Sequence, residues 1–172
     1  MIEKRSTLPP GAFLEAYRDA GAHTDCYTTV VGGARTLQNY VAAFYTTPLF
    51  RAERFILARA VSKPSTDEDV KRLVSGTASN FAAWTVERRA EDQLLMCDYV
   101  GRTRSWFMTT PEADAGNIST RLFFGSAVVP LANEPASQEL PASFKAMLWF
   151  HHIYSILLLR SARAALIARN AD

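Results

Sequence analysis

Residues 142–172, ASFKAMLWFHHIYSILLLRSARAALIARNAD, contain neither glycine nor proline and are dense in helix formers, which predicts one long C-terminal helix. Projected at about 100° per residue, Met147, Phe150, His151, Tyr154, Leu157, Leu158, Ser161, Ala165 and Ala168 fall on one broad face, large at its N-terminal end and small at the other. That taper suits a helix lying across a curved sheet. The opposite face mixes Lys145, His152, Arg160 and Arg163 with Trp149, Ile156 and Leu159, so the helix is apolar nearly all round and predicts two partners. One is the sheet; the other is further helices, a ligand or a second copy of the chain.

The strands for that sheet lie upstream. Residues 24–31, rich in Thr, Tyr and Val and closed by Gly32-Gly33, predict a first strand and turn, after a short helix over 12–19 introduced by Pro9, Pro10 and Gly11. Three helices follow. Thr36 caps one to about Tyr45, Thr47-Pro48 starts a second to about Val61, and Ser65 with Glu68 has capping-box spacing for a third that Gly76 ends. From Phe81 the apolar period changes to about two, predicting strands over 84–89, 93–100, 103–109 and 119–129. Glu91-Asp92 and Gly101-Arg102 supply turns, residues 111–117 a loop, and Gly125 a bulge or bend. Residues 130–141, with three prolines and two glutamates, form the crossing to the final helix.

The result is an α+β layout with an antiparallel sheet packed on a long C-terminal helix, and extra helices between the first and second strands, in a single domain over 1–172. This order of elements resembles the helix-grip fold of the START and Bet v 1-like proteins over most of residues 24–169. Five strands are legible where that fold has six or seven, and residues 32–35 and 75–81 are the places for the others. The resemblance implies a curved sheet gripping the last helix around an apolar cavity, and hence a receptor for a small apolar or lipid-like molecule.

Composition narrows the classes of function. A chain of 172 residues, 48% apolar and 21% charged, has the make-up of an ordinary globular protein. A net charge of +2 with scattered arginines is too weak a footprint for nucleic acid. The apolar run around 153–159 is broken by His151, His152 and Ser155 and is too short to span a bilayer. No secretory start is visible, so Cys26 and Cys97 are expected as reduced thiols in a cytoplasm.

Candidate chemistry concentrates in the meander. Asp98 shares a strand face with Met96 and Leu94, and Arg104 shares one with Trp106 and Met108. An Asp98–Arg104 pair inside a cavity would orient a polar ligand group; ordinary cross-strand ion pairs on a solvated face are the plainer alternative, for Arg121 as well. Phe123, Trp106 and Met147 are candidate walls, although aromatic side chains fill cores first. His151 and Tyr154, one helical turn apart, either line the cavity as donor and proton acceptor or form an ordinary core hydrogen bond.

No metal or cofactor is expected. His151 and His152 diverge on a helix, His23 and Cys26 have no second ligand pair, and neither Gly32-Gly33 nor Gly125-Ser126-Ala127 extends to a phosphate loop or nucleophile elbow. The leading expectation is a ligand-binding cavity using Asp98, Arg104, Trp106, Arg121, Phe123, Met147, His151 and Tyr154. The alternatives are an enzyme of cyclase, dehydratase or isomerase type in that cavity, and a homodimeric interaction module joined through Trp149, Ile156 and Leu159.

Overall fold

The computed structural model describes residues 4–60, 62–114, 117–129 and 142–168, with side chains described for 6–60, 62–113, 117–129 and 152–168. The predicted crossing at 130–141 lies outside these, as do the side chains of Met147, Trp149 and His151.

Among the described residues the elements run β1 (Lys4–Arg5), α1 (Glu15–Asp19), β2 (His23–Gly32), α2 (Leu37–Tyr45), α3 (Pro48–Ala60), α4 (Asp67–Val74), β3 (Asn80–Phe81), β4 (Trp84–Arg89), β5 (Gln93–Asp98), β6 (Thr103–Asp114), β7 (Asn117–Val128) and α5 (Ala142–Ala168). The strands form one antiparallel sheet of seven in the order β1-β2-β7-β6-β5-β4-β3. The short β3 falls within the predicted interval 75–81, whereas β1 lies in the N-terminal segment, where no strand was predicted.

Local chemistry explains the helix starts. The Thr36 hydroxyl accepts from Asn39 N at 3.1 Å while the Asn39 side chain accepts from Thr36 N at 3.3 Å, capping α2 reciprocally. Thr47 Oγ1 receives Phe50 N at 3.2 Å, and Pro48 opens α3 where no helical N–H is needed. The cap of α4 is Thr66 with Asp69, one residue later than the expected Ser65 and Glu68. Thr66 has the extended backbone of a cap, the Ser65 carbonyl is taken by Arg54, and Glu68 pairs with Lys71.

Two expectations about the last strands are corrected. The loop predicted over 111–117 is mostly strand, since β6 and β7 stay in register to Asp114↔Asn117. Pro111 is tolerated because β5 pairs with β6 no further than Met108, leaving an edge where a missing N–H costs little. Gly125 marks no bulge, since it sits in unbroken register between Cys26 and Trp106. Its hydrogen is needed for space, because a Cβ would stand 2.6 Å from the Asp25 carbonyl oxygen and 2.9 Å from Leu14 Cδ1.

Both faces of the sheet are covered. Alternate residues Tyr27, Val31, Leu94, Met96, Phe107, Leu122 and Phe124 point inward against α2, Phe50 of α3, Val70 and Leu73 of α4, and Leu158, Leu159, Ala162 and Leu166 of α5. The opposite parity, including Leu95, Trp106, Phe123 and Ala127, packs under Ala12, Phe13 and Leu14 from the segment leading into α1. Gln93 ties the two together: its Oε1 accepts from Phe13 N at 3.0 Å and from Trp106 Nε1 at 2.9 Å.

Among the described side chains of α5, residues 152–168, the buried stripe is Ser155, Leu158, Leu159, Ala162 and Leu166, rotated from the predicted face. Leu157, expected against the sheet, is 43% exposed, whereas Leu159, expected on the face that meets a second partner, is fully buried. The rotation follows from α5 lying against both α2 and β2, with Ser155 and Ala162 small enough for close approach. Leu159 therefore cannot join the expected dimer face.

Candidate functional site

A cavity of about 460 Å³ separates α3 and α5 from the inner face of the sheet. Helical spacing brings Leu49, Phe50, Ala52, Glu53 and Ile56 of α3 to one side, and Tyr154, Ser155 and Leu158 of α5 to another. Strand alternation supplies the floor, with Thr103, Ser105 and Phe107 of β6, Phe124 of β7, Asp98 of β5 and Trp84 of β4. Phe44 and Tyr45 of α2 close the aromatic end. Ile56, 61% exposed, stands at the rim.

Few polar groups break these walls. The Tyr154 hydroxyl donates to Glu53 Oε2, joining α5 to α3 across the hollow. Burial raises the Glu53 carboxyl above the usual carboxylate range, and the Tyr154 bond restrains that rise. The Tyr154 phenol is itself pushed upward by burial and by the adjoining carboxylate. Ser155 Oγ, on a residue 1% exposed, has no hydrogen-bond partner among the described residues. Asp98 accepts from Arg102 N at 2.8 Å, which fixes the turn leading into β6.

A second polar group adjoins this floor. Ser105 is in register with Ser126, and Ser126 with Asp25, all on the inner face. Asp25 Oδ1 accepts from both the backbone N and the hydroxyl of Ser126 at 2.8 Å. The Tyr27 hydroxyl stands 2.6 Å from His152 Nδ1, linking β2 to α5.

Of the residues singled out from sequence, the cavity unites Asp98 and Tyr154. The proposed Asp98–Arg104 pair does not form, because Arg104 is the register partner of Cys97 and points to the other face. There its Nε donates to Glu87 Oε2 and to the Tyr17 hydroxyl, each at 3.0 Å, and the guanidinium lies 4.9 Å from the Tyr17 ring centroid. Trp106 and Phe123 belong to the outer cluster, and Arg121 pairs with Glu112. Met147 and His151 lie outside the described side chains.

Glu53 and Ser155 were missed. Glu53 carried a readable signal, a lone acid three and four residues after Phe50 and Leu49 on the apolar face of its helix. Neither thiol is poised for chemistry: burial drives Cys26 up to about 12 and also raises Cys97. No group of three metal-ligating side chains occurs among the described residues, and no helix among them is long and apolar enough to cross a membrane.

The arrangement can hold an apolar body against aromatic walls and meet one polar end with a carboxyl group, a phenol and a hydroxyl. No protein-family model matches the chain, and comparison with curated proteins finds no match.

Proposed function

We propose that the protein binds a small, largely apolar molecule in the hollow between α5 and the sheet, as the helix-grip proteins resembled by its layout do. The observation that carries this reading is the aromatic-walled cavity of about 460 Å³, within the range of about 300–1,000 Å³ usual for small-molecule sites. A core packed solid would leave no room for such a ligand, whereas the exposed side chains of Ala52 and Ile56 at the rim leave this hollow open to one.

The test is native mass spectrometry of the purified chain, followed by titration with the neutral apolar dye N-phenyl-1-naphthylamine. Binding of the dye, or a retained mass, is expected. Ala52→Trp should abolish it, because Ala52 lines the hollow from an exposed position where a large ring obstructs entry without disturbing the core. Absence of both retained mass and dye binding would refute the proposal.

One observation favours a catalytic version of the same site. A carboxyl group raised by burial and hydrogen-bonded to a phenol is suited to proton transfer, as an isomerase, dehydratase or cyclase requires. In that version Glu53 is the acid–base group and Tyr154 its positioning partner. A mass change in the bound ligand, lost in Glu53→Gln, would separate turnover from simple binding.

A further inference from the structure

We infer that the ligand's polar end is an organic cation, such as a protonated amine, received by the free oxygen of Glu53. The inference rests on the binding role proposed above and specifies its substrate class.

The first argument is charge. The described residues lining the hollow include two carboxyl groups, Glu53 and Asp98, and no lysine, arginine or histidine. Arg54, next to Glu53 in the chain, is turned away: its Nη1 reaches Asp67 at 2.7 Å and its Nη2 the Ser65 carbonyl at 2.7 Å. Arg104 is committed on the far side of the sheet. A carboxylate held among apolar walls is costly until a cation joins it, whereas an anionic ligand would add repulsion to that cost.

The second argument is hydrogen-bond direction. Tyr154 spends its proton on Glu53 Oε2, so the pair presents itself to the hollow as an acceptor through Oε1. Ser155 Oγ, buried and without a partner among the described residues, is a further site for an N–H. A ligand that donates satisfies both.

The third argument is the aromatic lining. Phe44, Tyr45, Phe50, Trp84, Phe107 and Phe124 surround the hollow, and ring faces attract cations as well as apolar carbon. Acid and aromatic side chains together form the chemistry that selects ammonium groups over isosteric alcohols.

The experiment is calorimetric titration of the whole chain with three probes on one skeleton: 1-naphthylmethylamine, 1-naphthylmethanol and 1-naphthylacetate. At neutral pH the amine should bind about tenfold tighter than the alcohol, as a charge-assisted bond exceeds a neutral one, and the acetate should not bind measurably. Glu53→Gln, checked for folding by circular dichroism, should remove the amine's advantage while leaving alcohol binding in place. An alcohol or acetate that binds as tightly as the amine, or an amine preference that survives in Glu53→Gln, overturns the inference while the binding role stands. Failure of all three probes also overturns the inference, and the binding role is then decided separately by the retained mass and the dye titration.

Discussion

At Glu53 the cost of keeping a charged group among apolar walls should be readable as a pH dependence. Burial raises its folded-state carboxyl above the unfolded value. The stability tied to its protonated form is thus fully present below the unfolded pKa and is lost as pH rises through the folded one. Among the described residues, Tyr154 on α5, Tyr45 on α2 and Asp98 on β5 are the other titratable groups lining the hollow, and both phenols are themselves raised. Glu53→Gln, which removes the charge and keeps an acceptor for Tyr154, should melt at a higher temperature than the parent at pH 7 and at the same temperature near pH 4; equal melting temperatures across that span would show the carboxylate to be well solvated. Single residues also mark the boundary of what the sequence discloses. Strand alternation put Asp98 with Met96 and Arg104 with Trp106, but that the two sets lie on opposite faces follows from the β5–β6 register, in which Arg104 meets Cys97, and the expected Asp98–Arg104 pair is lost for that reason. Which parity faced the hollow was not legible, because both faces of the sheet are buried and both carry aromatics.

At the level of elements, capping and close approach decide the detail. The α4 cap binds Thr66 and Asp69 reciprocally, with Asp69 held down to about 2, chiefly by Arg72. Thr66→Ala should cost about 1 kcal/mol in denaturant unfolding with an unchanged m-value, the usual loss at an N-cap. Gly125→Ala tests the crossing of β7 beneath Leu14. Its methyl would meet the Asp25 carbonyl oxygen at 2.6 Å and Trp106 Cε3 at 3.0 Å, so a loss of about 2–3 kcal/mol is expected by the same measurement. The long helix, the three helices before the meander and the five longer strands were readable along the chain because capping residues and apolar periods are local signals. The rotation of α5 was not, since a helix apolar on most of its surface leaves the choice of buried stripe to the neighbours it meets, here α2 and β2. The extension of β6 through Pro111 was likewise hidden, because it depends on where β5 stops.

For the whole molecule, the determining contact is non-local. β2 begins at His23 and pairs along its length with β7, so His23 stands opposite Val128, and α5 then settles against β2 through Tyr27 and His152. The helices that carry Tyr40, Phe44 and Phe50 rest on Phe81, Trp84 and Phe107 of the meander, and their packing surface is complete only when that pairing brings Tyr27 and Phe124 into the same cluster. The hollow is thus a product of late assembly, bounded by α3 and α5 together with a floor that β7 helps complete. A chain emerging from the ribosome holds the β7-facing edge of its first long strand unmatched until the second half has been synthesised, exposing a sticky edge throughout. Nascent chains stalled before residue 117 should accordingly be cut readily by added protease and held by chaperones, whereas those released beyond α5 should resist. Protection already present in the shorter chains would mean that the helices mature without the strand they are built to cover.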